Sequence, residues 1–224
     1  MLISEELAYD KESLKAEHET LVTQLTDEQK VVYDSMINDI DSNGGGLFFV
    51  YGYGGTSKTF VWRTLSSKIK SRGDIVLNIA SSRIESLLLP GGRTTHSRFA
   101  IPLLVNDDST CNISQGSDLC ELIIRSKLII SDEAPMTHKY CFEALDKTMR
   151  DILRFTIPGS DQKIFGGNTV VLGDDFRQIP TVIPKAMRPM VVGATINSSY
   201  LYRNCKVLRL TKNPETTELS FKRR

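Results

Sequence analysis

The stretch Leu47-Phe48-Phe49-Val50-Tyr51-Gly52-Tyr53-Gly54-Gly55-Thr56-Ser57-Lys58-Thr59 constrains this chain more than any other. An apolar run of strand length gives way to glycines. Lys58-Thr59 then heads a segment whose apolar positions (Phe60, Val61, Leu65, Ile69) recur at helical spacing. Glycines at a strand–helix junction allow a tight turn and bring backbone N–H groups against an anion. The pattern G-x-x-x-x-G-K-[ST] marks a phosphate-binding loop, matched here at every position except one, where Ser57 stands for the last glycine. A dinucleotide fingerprint, G-x-G-x-x-G, competes for Gly52 and Gly54, but its third glycine also falls on Ser57. It further needs an acid after the next strand, where Ser81 and Ser82 stand, and it leaves Lys58 and Thr59 unexplained.

Read as a phosphate loop, Gly52, Gly54, Gly55, Thr56 and Ser57 cradle the phosphates of a nucleotide. Lys58 neutralises the terminal phosphates, and the Thr59 hydroxyl binds magnesium. Such a loop calls for an apolar strand ending in aspartate further along. Leu128-Ile129-Ile130-Ser131 supplies it and runs into Asp132-Glu133. Asp132 is assigned to the magnesium ion and Glu133 to the attacking water.

Around this pair, strands and helices alternate. Thr26-Asp27-Glu28-Gln29 is a capping box, followed by Val32, Met36 and Ile40 at helical spacing and a stop at Asn43-Gly44-Gly45-Gly46. Further strands are expected at 75–80, 127–131, 169–173 and 206–210. Helices are expected up to Leu89 (short and apolar), near 118–125 and near 137–154. The order predicts an α/β fold, a P-loop NTPase with a mostly parallel sheet covered on both faces. Residues 4–20, rich in Glu and Lys with sparse apolar positions, read as a solvent-exposed or loosely docked helix. The chain thus divides into an acidic helical extension (1–24), a nucleotide-binding body (25–213) and an unstructured tail (214–224).

Charge sharpens this division. Residues 1–45 hold three lysines against eleven carboxylates, a net of −8, so the remainder carries +9. A basic body suits a polyanionic partner, and a dispersed solvated surface explains the charge equally well. Cys111, Cys120, Cys141 and Cys205 form no C-x-x-C pair and read as reduced thiols rather than a zinc site. No apolar run approaches bilayer length and the first residues are acidic, which reads as an intracellular protein.

Taken together, Leu25-Thr26-Asp27-Glu28-Gln29, the loop at 52–59, Gly92-Arg93-Thr94-Thr95-His96-Ser97-Arg98-Phe99, Asp132-Glu133-Ala134-Pro135-Met136, Asp175-Phe176-Arg177-Gln178 and Leu210-Thr211-Lys212-Asn213 carry a resemblance. The chain resembles the Pif (petite integration frequency) family of ATP-dependent DNA helicases in its Helitron-associated form, over roughly residues 4–213. The resemblance implies a RecA-like three-layer α/β/α domain with ATP as substrate and Mg2+ as cofactor. It also implies single-stranded DNA as partner, roles in repair, recombination and telomere maintenance, and a nuclear location. It puts Gln29 on the adenine, beside its capping role, and makes Gln178 the γ-phosphate sensor. It turns Ser81, Ser82, Thr95, His96, Ser97 and Phe99 toward single-stranded DNA, with Phe99 read either as a base platform or as core.

Departures from the family pattern set further expectations. A Cβ at Ser57 crowds the phosphates, so nucleotide binding is expected to be weak. Glu85 puts a negative charge where a phosphate backbone passes, Arg83 replaces a small residue, and Asp174 replaces a glycine beside Asp175. Pro180-Thr181 disturbs the turn after Gln178. Pro214-Glu215 follows Asn213 where the family continues into a second RecA-like domain. That domain is expected to be missing from this chain, leaving it without unwinding activity, or as a non-hydrolysing remnant that binds nucleotide or DNA weakly. A small-molecule kinase leaves Asp175–Gln178 and Gly92–Phe99 unexplained.

Overall fold

The central strands bury both of their faces, and the sequence shows why. In the computed structural model, which describes residues 2–52, 58–174 and 187–211, the run Leu47–Gly52 forms β1 with alternate side chains in two separate cores. Leu47 and Phe49 point into one, Phe48 and Val50 into the other. Before β1 come α1 (Leu2–Leu7), α2 (Lys11–Thr23) and α3 (Asp27–Asp41). After it come α4 (Lys58–Ser71), β2 (Ile75–Ala80), α5 (Arg83–Ser86), β3 (Arg93–Thr94), α6 (Thr95–Phe99), α7 (Asp118–Arg125) and β4 (Ser126–Asp132). The chain continues through α8 (Lys139–Leu153), β5 (Thr169–Asp174), α9 (Arg188–Ala194) and β6 (Lys206–Leu210).

The six strands form one sheet in the order β3-β2-β4-β5-β1-β6, and every pairing is parallel. Helices α3 and α4 cover one face through Val32, Met36, Ile40, Val61, Trp62, Leu65 and Ile69. Helices α7 and α8 cover the other through Leu122, Ile123, Phe142, Leu145 and Met149. This is the parallel sheet covered on both faces expected from the alternation of elements, and the three-layer RecA-like α/β/α arrangement that the resemblance implies. Each fully buried aliphatic or aromatic side chain contributes about 1.5–3 kcal/mol relative to exposure, so the two cores dominate stability. None of the described helices is long and apolar enough to cross a membrane.

Four expectations change. Arg93–Thr94, where no strand was expected, is a two-residue edge strand beside Ile79–Ala80. The short helix before Leu89 ends at Ser86, with Ile84, Leu87 and Leu88 exposed rather than packed. Helix α9 lies in a stretch where no element was expected.

The fourth change is the largest: residues 4–20 are not a loosely docked helix. They form α1 and α2, separated near Asp10, whose carboxylate caps α2 by accepting from the amides of Glu12 and Ser13. The docking is polar, which is why it left no apolar stripe. Glu6 is 7% exposed and pairs with Arg98 (3%) and Lys70 (4%), while the Lys70 ammonium lies 4.0 Å from the Tyr9 ring centroid. Glu17 pairs with Arg63 and accepts from Ser67 on α4, and His18 Nε2 lies 2.8 Å from the Tyr33 hydroxyl on α3.

Candidate active site

Because all strands run the same way, β1 and β4 deliver their C-terminal ends to one edge of the sheet, with β5 between them. That edge of an open α/β sheet is where ligands bind. Lys58 opens α4 there and is almost fully buried. Its Nζ donates to the Gly52 carbonyl at 2.7 Å, so the ammonium is held at the C-terminal end of β1. Thr59, the next residue, is half-buried. Gly54, Gly55, Thr56 and Ser57 lie outside the described residues, as do Asp175–Gln178 and everything from Lys212 onward.

At the end of β4, Asp132 is 8% exposed. Burial pushes its carboxyl up to about 6, while hydrogen bonds from the Trp62 indole and the Glu133 backbone and the charge of Lys58 oppose the rise. Glu133 follows with φ 52°, a left-handed backbone that is costly for a residue with a Cβ. The Ala134–Met136 turn, stiffened by Pro135, holds it there. The hydroxyl of Thr59 and the carboxylate of Asp132 are hard oxygen donors of the kind magnesium takes, so the donor set fits that ion.

Trp62 escaped the sequence reading, although a signal existed: it is the chain's only tryptophan, one helical turn after Lys58. Its side chain is fully buried, and Nε1 donates to Asp132 Oδ1 at 3.1 Å. Gly173 of β5 makes room for it. A Cβ there would fall 2.6 Å from Trp62 Cζ2 and 3.2 Å from Asp132 Oδ1. A second missed contact is Glu28, whose carboxylate accepts from the amide and hydroxyl of Thr211 at 2.7 and 2.6 Å. It ties the start of α3 to the chain leaving β6, a pairing 183 residues apart in sequence that no local pattern signals.

Gln29 is 3% exposed, and its capping role is realised in both directions. Thr26 N donates to Gln29 Oε1 at 3.0 Å, and Gln29 N donates to Thr26 Oγ1 at 3.4 Å.

The residues expected to face DNA divide. Phe99 is fully buried in the core, which resolves its two readings in favour of packing and corrects its place among DNA contacts. Thr95 is 1% exposed and donates its hydroxyl to the Ala80 carbonyl at 3.0 Å, so it too is internal. His96 is half-buried, with Nε2 3.7 Å from Cys141 Sγ. Ser97 is exposed at the head of α6, where its amide is capped by Thr94. Ser81 and Ser82 are partly exposed but engaged by Glu85: Ser81 Oγ and Ser82 N both donate to its Oε2, at 2.9 and 3.1 Å.

A lysine-led helix after a glycine loop, and an acid pair one strand away on the same sheet edge, define a RecA-like P-loop NTPase domain. The model of the PIF1-like helicase family matches residues 24–223, and the chain belongs to that family. Solved structures agree on the fold. The Pif1 helicase described as two coordinating copies at forked double-stranded DNA aligns with a TM-score of 0.66 at 25% identity, over 87% of this chain and 46% of its own. Pif1 from Bacteroides in complex with ADP-AlF3 and ssDNA gives 0.67 at 24% identity, over 87% and 44%. Pif1 from Candida albicans gives 0.62 at 20%, over 84% and 40%. The chain therefore spans less than half the length of these helicases. Among curated protein sequences no relative matches.

Proposed function

We propose that this domain binds Mg·ATP and couples its hydrolysis to movement on single-stranded DNA, as the first motor domain of a Pif-type helicase serving repair, recombination and telomere maintenance in the nucleus. The observation that carries this reading is Lys58, buried at the head of α4 on the same sheet edge as Asp132 and Glu133. A nucleotide at the N-terminus of α4 meets the positive end of the helix dipole. Lys58 exchanges the Gly52 carbonyl for phosphate oxygens, and Gln29 adds adenine recognition to its capping role. Glu133 accepts the proton of the attacking water, and Gln178 reports the γ-phosphate. Magnesium, held by Thr59 and Asp132, supplies charge neutralisation on the terminal phosphates when bound.

A second reading is favoured by one observation: the Glu85 carboxylate occupies Ser81 and Ser82. A negative charge there repels a phosphate backbone, which suits a domain that binds nucleotide without DNA-stimulated turnover. Two measurements test these readings. A fluorescent ATP analogue should bind in the presence of Mg2+ and be lost in Lys58→Ala; absence of binding in the unmodified chain overturns the nucleotide reading. Turnover stimulated by single-stranded DNA in the unmodified chain overturns the second reading. If stimulation appears only in Glu85→Ala, the second reading stands.

A further inference from the structure

We infer that Trp62 is a positioning residue for the magnesium-binding carboxylate Asp132, an assignment that rests on the nucleotide reading proposed above. A tryptophan buried in a core needs an acceptor for its N–H. Here that acceptor is not a nearby carbonyl but Asp132 Oδ1, on a strand in a different layer from the helix that carries the indole. One hydrogen bond from a rigid ring consumes one oxygen of the carboxylate and sets its plane. The Glu133 backbone amide also donates to this carboxylate, and Trp62 is the side chain that restrains it from the facing layer.

The ring is itself held from two sides. The apolar residues of the α3–α4 core surround it, and the backbone of β5 passes beneath it at Gly173, where a Cβ would collide with Cζ2. Trp62 therefore connects three parts of the site: the phosphate-loop helix, the acid strand, and the strand that leads toward Asp175–Gln178. Groups that orient a metal ligand change metal affinity by about 10–100-fold when removed, although they never touch the metal.

The test separates this role from simple packing. Trp62→Phe keeps an aromatic ring in the core but has no N–H. Nucleotide affinity is measured with Mg2+ and with EDTA, for the unmodified chain, Trp62→Phe, Asp132→Asn and the double variant. The expected result is that affinity in EDTA is unchanged in Trp62→Phe, while the enhancement by Mg2+ falls about tenfold. The double variant should lose no more than Asp132→Asn alone, because the two residues act through one carboxylate.

Trp62 is also the sole tryptophan, so its emission in the unmodified chain should shift on adding Mg2+ to the nucleotide complex and not on adding nucleotide in EDTA. Gly173→Ala, which displaces the indole, provides a second perturbation with the same expected signature. An undiminished Mg2+ enhancement in Trp62→Phe overturns the inference while leaving the nucleotide reading intact. Equal losses with and without Mg2+ reduce Trp62 to packing and overturn it as well. No binding by the unmodified chain overturns both.

Discussion

Replacing Glu6 by alanine should destabilise the whole domain, although the residue sits in an acidic segment that looks peripheral. The structure places its carboxylate against Arg98 and Lys70, with all three residues at least 93% buried. Removing one partner of a buried ion pair leaves uncompensated charge in a low-dielectric surrounding, and costs about 3–5 kcal/mol. Here two cations lose their counter-charge at once. With an unfolding entropy of about 2.1 cal/mol/K per residue, a chain of 224 residues should lose roughly 6–10 °C in thermal midpoint.

The assay is thermal unfolding followed by circular dichroism, for Glu6→Ala, Glu6→Gln and the exposed control Glu19→Gln. Glu6→Gln should be intermediate, since it keeps the volume and one acceptor. The control should stay within about 0.5 kcal/mol of the unmodified chain. Both Glu6 variants melting within about 2 °C of the unmodified chain would refute the reasoning, and would restore a loosely docked N-terminal helix.

Other predictions follow from the same contacts. Phe99→Ala should cost about 3–5 kcal/mol through the cavity it opens, seen as a lowered unfolding midpoint. A residue whose role was base stacking would leave that midpoint unchanged. His18, His96 and His138 all have pKa values pulled below 6.5, in each case chiefly by burial. At these residues the unfolded chain therefore binds more protons below pH 6.5, and in an Asp132→Asn background, which removes the opposing carboxyl raised to about 6, stability should decline as pH falls from about 6.5 toward the folded-state values. Denaturant titrations between pH 7.5 and 5 check the sign, and His18→Gln should flatten the slope. Glu28→Ala should accelerate hydrogen exchange at the Thr211 amide while the β6 amides facing β1 stay protected, as read by mass spectrometry.

Much of the fold was legible because strands leave short apolar runs, and the runs at 47–51, 75–80, 127–131, 169–173 and 206–210 are all strands, the first four largely buried and the last a mostly exposed edge. The capping box at Thr26 and the acid pair after β4 were legible because their chemistry is local. The N-terminal helices were misread because their anchors are polar: a buried glutamate is indistinguishable in sequence from an exposed one until its arginine partner, 92 residues away, is brought against it. Phe99 and Thr95 were misplaced for a related reason, since helical spacing over five residues cannot say which face a short helix turns inward.

By itself, the order of residues determined that a strand, a glycine loop and Lys58-Thr59 stand in series, that Asp132-Glu133 ends a later strand, and that the sheet is mostly parallel. Those features depend on neighbours in sequence. Only the tertiary structure decided which strand separates β1 from β4, that Trp62 spends its N–H on Asp132, that Gly173 clears space for the indole, and that Glu85 occupies Ser81 and Ser82. Each of the two contacts between layers needs partners at least 70 residues apart, and the Glu85 contact depends on how one short helix settles on β2. Spacing along the chain carries no record of such distances, because they are set by how layers pack and not by how residues follow one another.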